Sequence, residues 1–443
     1  MDYANAVSLS HKEITAQWDP ENPEFWASYG EKIARQNLFV STWALTLSFV
    51  VWTLWGTVAV HLNSIGFHFT DTEIFTLAAL PGLVGATGRL FYTYMPGLCG
   101  GKTWTFWTTA ILLLPVAGLG NVISDPATSY ETLFFLVALL GVSGANFSSS
   151  MANIGNFFPR RKKGTALGIN GGIGNLGVSL IYLVTPFAIS MTGAGSLVGG
   201  IQKTAAGTAI SLQMACYLWI LPILVTLLLI LRYMDNLPTE KPNPRAMFSI
   251  FPQKHTWILT WIYTCGFGSF IGYSVALALL VHKEFPEISF TYAAFIGPFV
   301  SALSRSFGGW WADKINSGSK ITFFSLLLLL LSSAGILFFI HTHQFLPFFF
   351  CFLLLFLATG LINGATFRMI PVIFTNPKES SLVTGFSAAI AAYGAFIIPK
   401  IFGWSYGNFT RVDAAFYLLM GYTLLTIVLT WYYYRRKSAG MSC

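Results

Sequence analysis

The chain has 443 residues, of which 54% are hydrophobic and only 9% charged, with a mean hydropathy of +0.63. A soluble core of this size does not need so much apolar surface, so soluble domains are excluded in favour of one polytopic membrane bundle. The net charge of +8 follows from membrane topology, as the distribution of basic residues shows, and nucleic acid is not an expected partner.

A spanning helix needs about 20 apolar residues, and twelve runs meet that length: 37–61, 73–98, 103–123, 131–158, 164–191, 206–234, 256–281, 289–312, 321–341, 346–374, 381–404 and 413–434. None alternates with period two over barrel length, so the expected fold class is all-α. Of the 25 Lys and Arg, 18 fall at the termini and in the connections of one side. Lys203, Lys283 and Arg411 fall on the other side, and Arg89, Arg305, Arg368 and Lys400 lie within spans. The positive-inside rule then puts both termini in the cytoplasm, with the chain integral to the plasma (inner) membrane and the lipid bilayer as its solvent.

Five cysteines without C-x-x-C spacing imply no disulfide framework and no metal site, and no cofactor is expected. The first 36 residues hold six acids and two prolines, unlike a cleavable signal. The expected organisation is a cytoplasmic arm over 1–36, a six-helix half over 37–234, a linker over 235–255, a second six-helix half over 256–434 and a tail over 435–443.

Arg89 stands in the second run and Arg305 in the eighth. A charge at bilayer depth costs at least ~3 kcal/mol, so each marks a candidate site. They are 216 residues apart, close to half of the 443. The same shift sets Leu83–Arg89 on Phe299–Arg305, and Phe157-Phe158-Pro159 on Ile373-Phe374-Thr375. One residue further, the glycine-rich Gly168–Gly177 falls on Gly385–Gly394. Two parallel halves of this kind are what a rocking carrier with a midplane site requires. The competing reading, that each arginine snorkels to the interface, would make the repeat a coincidence; for Arg368 and Lys400, nearer their span ends, snorkelling is the simpler reading.

All 17 Asp and Glu fall in tails, loops or span ends, and the seven His are peripheral. Two core arginines without core acids call for an anion. The guanidinium fork suits a planar oxyanion, and a small monovalent one fits limited volume. In the fifth span, positions 164, 168, 171, 175 and 178 share one helical face as a stripe only if Asn175 joins it, and that face either packs a neighbouring helix closely or brings bare backbone and Asn175 to a small ligand. Gly172–Gly177 matches G-x-G-x-x-G and Gly403–Gly407 matches G-x-S-x-G, but neither has the strand context its chemistry needs. No catalytic residue is expected, and the chain does not read as an enzyme.

Gly309-Trp310-Trp311-Ala312-Asp313-Lys314 is similar to the G-x-x-x-D-[R/K] loop of the major facilitator superfamily, although Gly97 stands where the first half would carry the acid. Trp18–Trp26, Gly144–Ile154, Gly168–Val178, Phe267–Gly272, Asn363–Phe367 and Ile397–Lys400 together resemble the NarK-type nitrate/nitrite porters of that superfamily. The resemblance implies its fold, twelve transmembrane helices in two pseudo-symmetric six-helix halves, and a monomer. It implies that Arg89 and Arg305 hold the substrate, that Phe147 and Phe267 sandwich it, and that Asn175 and Tyr263 make polar contacts. Gly168, Gly171, Gly172, Gly174 and Gly177 match the first glycine signature. Gly385 and Gly394 match the second, in which Ala391 and Ala395 stand where glycines are common.

The expected function is therefore nitrate/nitrite antiport by alternating access, with the small inorganic anion clamped between Arg89 and Arg305. Two like charges 4 Å apart repel by roughly 4 kcal/mol at an effective dielectric of 20, enough to make return without an anion rare. The alternative is proton-coupled nitrate symport. An anion channel or sensor on the same scaffold, and a carrier of drugs or sugars, fit the residues less well.

Overall fold

In the computed structural model, residues 11–205, 207–238, 244–288, 293–436 and 443 are described. Residues 1–10 of the expected arm, 206 of the expected sixth span, 239–243 of the linker, 289–292 of the expected eighth span and 437–442 of the tail lie outside them. Twelve long helices account for the bundle: α1 (Pro23–His61), α2 (Asp71–Tyr92), α3 (Gly101–Val122), α4 (Tyr130–Phe157), α5 (Arg160–Ile189), α6 (Met214–Tyr233), α7 (Lys254–Glu284), α8 (Ile296–Lys314), α9 (Gly318–His341), α10 (Phe345–Ile373), α11 (Lys378–Phe409) and α12 (Asp413–Arg435). Eleven are long and apolar enough to cross a membrane. The other, α8, is diluted by Arg305, Asp313 and Lys314.

Local chemistry sets the ends. Thr70 and Glu73 form a reciprocal capping box at α2, and Ser129 and Ser317 cap α4 and α9. The α2 helix stops at Tyr92, short of the expected 98, and Met95–Cys99 forms a separate short helix. The sixth span begins later than expected: Gln202–Lys203 and Ala209–Ile210 pair as a two-residue antiparallel ladder instead. Polar side chains and the positive φ of Gly207 suit that segment to a turn rather than a helix.

The arm packs against the basic end of the first half. Phe25 and Trp26 are buried against Trp18 and the Phe157-Phe158 pair that closes α4. Glu21 Oε1 accepts from the Arg160 amide at 2.9 Å, closing the N-terminus of α5. Asp313, in the last turn of α8, pairs with Arg368 of α10 at 3.3 Å, so Arg368 is tied to that helix end and does not simply snorkel. At the corresponding loop of the first half, where Gly97 replaces the acid, Asn236 Oδ1 accepts from the Lys102 and Thr103 amides at 2.9 and 3.3 Å.

The two halves meet unevenly. At the face opposite the termini, Lys283 pairs with Asp71 at 2.6 Å, Lys400 Nζ donates to Thr76 Oγ1 at 2.8 Å, and Ser179 donates to the Phe295 carbonyl at 2.9 Å. The Tyr182 hydroxyl donates to the Ser274 carbonyl. Gly82 permits the tightest crossing, since a Cβ there would sit 2.4 Å from Ala395 backbone. Toward the basic face the junction loosens. A cavity of about 290 Å³ lies between α5 and α8, lined by Gly168, Gly172, Ala302, Leu303 and Ser306 among others.

The face of α5 expected at 164, 168, 171, 175 and 178 is not the face on which its glycines pack closest. Gly177 and Gly174 turn to α1, where a Cβ would meet Thr46 O at 2.1 Å and Leu45 at 2.8 Å. Gly171 faces Met151 and Phe147, while Gly164 and Gly168 have nothing within 4 Å. Packing and site exposure fall on different sides of one helix. Gly177→Ala should therefore lower the melting temperature in detergent, at a cost of about 1–3 kcal/mol. Gly385→Ala, at a position with nothing within 4 Å, should leave it unchanged.

Candidate functional site

Arg89 is fully buried, at 0% exposure, and Arg305 nearly so, at 8%. How Arg89 is held begins with α1. The Trp52 indole lies between α2 and α4, and both neighbours are glycine where it passes. A Cβ on Gly85 would meet the ring at 2.7 Å and one on Gly144 at 2.4 Å. The Trp52 Nε1 donates to the Pro81 carbonyl at 2.8 Å, and the Arg89 guanidinium carbon lies 5.0 Å from the indole centroid. Arg89 Nε then donates to Gly144 O at 2.9 Å.

Its Nη1 crosses to the other half and donates to Ala388 O at 2.9 Å. That carbonyl is free because α11 is interrupted there. The Ala392 amide turns to Ile390 O, and Tyr393 closes a tighter turn on the same oxygen at 3.1 Å. A helical carbonyl thus loses its own partner and takes a guanidinium N–H instead. Arg89 is bonded to both halves at once.

Arg305 is set by the close packing of α8 on α10, where a Cβ on Gly364 would meet Arg305 O at 2.0 Å. Its guanidinium carbon lies 4.9 Å from the Phe367 centroid. Between the arginines runs a stack of rings. Phe367 and Tyr263 are 4.7 Å apart at 7°, Tyr263 and Phe267 5.8 Å at 5°, and Phe267 and Phe147 6.5 Å at 29°. Arg89 lies 4.8 Å from Phe147 and 5.4 Å from Phe267, beside the gap between them. A π-helical turn, Thr264–Gly268, separates Tyr263 from Phe267 in α7. Such turns re-aim side chains within an otherwise regular helix. It also brings Gly268 against α11, where a Cβ on Gly394 would meet Gly268 at 2.3 Å.

Among the buried side-chain polar atoms without a hydrogen-bond partner are Arg89 Nη2, Arg305 Nη1, Tyr263 Oη and Asn175 Oδ1. Unpaired polar atoms in an apolar interior cost about 1–3 kcal/mol each, so four on these residues need a reason. No salt bridge joins either arginine to an acid among the described residues. The structure thus brings five of the expected residues together, namely Arg89, Arg305, Tyr263, Phe147 and Phe267. Asn175 is buried at 1%, next to the Gly171 that faces Phe147. Gly385 has open space around it and Gly394 packs on α7, so the second signature contributes helix crossing rather than a contact with the arginines.

Sequence reasoning missed Trp52, Phe367 and the carbonyls of Gly144 and Ala388. The available signal was slight: Trp52 is one of 14 Trp and Phe367 one of 40 Phe, and any residue carries a carbonyl. Only the glycines at 85 and 144 marked the space the indole fills.

A twelve-helix membrane bundle with two halves meeting at a buried cationic site is the architecture of a carrier. Comparison with known proteins agrees. Residues 38–374 match the family model of the Major Facilitator Superfamily. The nitrate/nitrite transporter NarU of Salmonella typhimurium is 38% identical over 96% of this chain and 97% of its own length. The probable nitrate/nitrite antiporter NarK2 of Thermus thermophilus is 36% identical over 96% and 97%. Among solved structures, the partially occluded inward-open xylose transporter XylE from E. coli superposes with a TM-score of 0.66 at 14% identity, covering 93% of this chain and all of that one. A bacterial homologue of the human lysosomal transporter Spinster, inward-facing and unoccupied, gives 0.65 at 17%, covering 90% and 95%. The chain belongs to the NarK-type nitrate/nitrite porter family of the Major Facilitator Superfamily.

A buried guanidinium with an unpaired N–H and no acid is a destabilising feature held for another purpose. Arg89→Met, which keeps the length and removes the charge, should raise the melting temperature of the purified protein. A fall would show that the bonds to Gly144 and Ala388 outweigh the cost of burial.

Proposed function

We propose that this protein exchanges nitrate and nitrite across the plasma (inner) membrane, with one anion at a time bound between Arg89 and Arg305. The observation that carries the reading is the set of unpartnered buried atoms, Arg89 Nη2, Asn175 Oδ1, Tyr263 Oη and Arg305 Nη1, drawn from both halves with no acid among them. A planar oxyanion accepts in-plane hydrogen bonds from the guanidinium N–H groups and from the tyrosine hydroxyl. The asparagine joins them by turning its amide to present Nδ2. The 6.5 Å between the Phe147 and Phe267 centroids approaches the ~7 Å that would hold a flat ion in van der Waals contact with both faces. The relatives' printed names support nitrate and nitrite as the pair.

In the proposed cycle the basic face is cytoplasmic. The halves are drawn together by an anion that neutralises part of the paired positive charge, and they part on one side or the other to release it. Without an anion the two guanidinium charges oppose closure. A carrier with no ionisable acid at the site has no evident proton relay, and that favours exchange over proton-coupled uptake.

Two measurements test this. Arg89→Lys keeps the charge and loses the planar fork, so nitrate affinity should fall by about tenfold or more. Near-normal affinity would count against a guanidinium-specific contact. In proteoliposomes, uptake of nitrate should require nitrite or nitrate inside. Robust uptake into anion-free vesicles under an imposed pH gradient would replace exchange by proton symport.

A further inference from the structure

Lys400 is a fourth intramembrane cation that the clamp does not use. It lies on α11, nine residues before the helix ends at Phe409, or about 14 Å below that end at the α-helical rise. Its side chain does not extend freely into water, being only partly exposed. It reaches instead along the junction between the halves, where Nζ donates to Thr76 Oγ1 of α2 at 2.8 Å. Thr76 is five residues into α2, about 8 Å below its outer end, and thirteen residues, about 20 Å, outward of Arg89.

Its partner is a neutral hydroxyl although carboxylates are near this corner. Each of those is engaged elsewhere: Asp71 with Lys283 at 2.6 Å, Glu73 with the Thr70 cap, and Glu284 with the Tyr406 hydroxyl. Asp413 is held by His341 at 2.6 Å. Lys400 therefore forms no ion pair with an acid among the described residues. The surrounding contacts are those that must part when a carrier opens on this face. Phe75 of α2 stacks on Tyr406 at 5.7 Å, and Thr72 donates to Gly403 O at 3.4 Å. Separation of α2 from α11 would leave an ammonium group without a counter-ion in the wall of the outer vestibule. Low-dielectric walls would focus its field on the route toward Arg89.

We propose that Lys400 forms a second anion site, held closed by Thr76, as an outer landing point for small monovalent oxyanions about 20 Å from the clamp. The ammonium supplies both the charge and the N–H donor that Thr76 Oγ1 occupies in the closed junction; the Thr76 hydroxyl proton itself is given to Thr72 O at 2.6 Å. The proposal rests on the transport reading above and adds a step to it: an anion from the outer face exchanges with Thr76 for Lys400 before it reaches Arg89.

The test compares nitrate entry at subsaturating concentration in right-side-out and inside-out membrane vesicles. Lys400→Met should slow entry from the outer face about tenfold at low ionic strength, a difference that shrinks as salt screens the charge. Lys400→Arg should restore most of the rate, and entry from the basic face should be unchanged in both variants. An unimpaired Lys400→Met at the outer face would overturn the site. So would equal loss at both faces without rescue by arginine, since that would make Lys400 a packing residue. A wild-type protein that moves neither nitrate nor nitrite from either face would instead overturn the transport reading beneath it.

Discussion

Two guanidinium groups buried in an apolar bundle without a salt-bridged acid impose the constraint on which the other features depend. Solvating such a charge falls to whatever the protein can offer, and here that is backbone carbonyl and aromatic face. Arg89 takes one carbonyl from its own half, at Gly144, and one from the other, at Ala388. Arg305 rests over Phe367. These substitutes neutralise nothing. They leave a region of positive potential at the junction, with hydrogen-bond capacity left over on both arginines. In the proposed cycle the anion makes good that deficit, which couples binding to the approach of the halves.

Meeting that constraint shapes the helices around it. Gly144 and Gly85 are bare because the Trp52 ring needs the space, and Trp52 in turn gives Arg89 a face to lie on. The α11 helix is interrupted just where a free carbonyl is wanted, and α7 carries a π turn between its two stacked aromatic residues. Each irregularity gives up some regular helical hydrogen bonding. They lie near the middle of α7 and α11, and Gly268 touching Gly394 joins the two irregular segments directly. The uneven junction has the same logic. Charged and hydroxyl contacts seal the end opposite the termini, while Gly164, Gly168 and Gly385 stand clear toward the basic end.

Much of this was legible in advance. Apolar run length reveals spans because a lipid-exposed backbone has to satisfy its own hydrogen bonds, which makes the signal strong and local. The 216-residue spacing of Arg89 and Arg305 exposed the repeat because buried charge is rare enough for a coincidence to be informative. The glycines of α5 are visible in the sequence, but which of them meets a neighbouring helix is not. Periodicity says which residues share a face and is silent on which neighbour that face meets. Gly174 and Gly177 turned out to serve α1, while Gly168 and Gly172 line the cavity with α8. Arg368 reads as a snorkelling side chain because Asp313 is 55 residues away in the chain, and only folding shows the ends of α8 and α10 to be adjacent. The late start of α6 was hidden because hydropathy averages over the short strand pair that precedes it.

By itself, the sequence determined the class of solvent, the number of spans, the side that carries the basic residues and the demand for an anionic counter-charge. All of these follow from the composition of single segments. Tertiary structure alone decided what holds the arginines. A carbonyl becomes a ligand only when its helix breaks and a neighbour comes within 3 Å, as Ala388 does for Arg89, and an indole becomes a platform only when two other helices leave room for it. Those are relations between distant segments, and no stretch of the chain contains them.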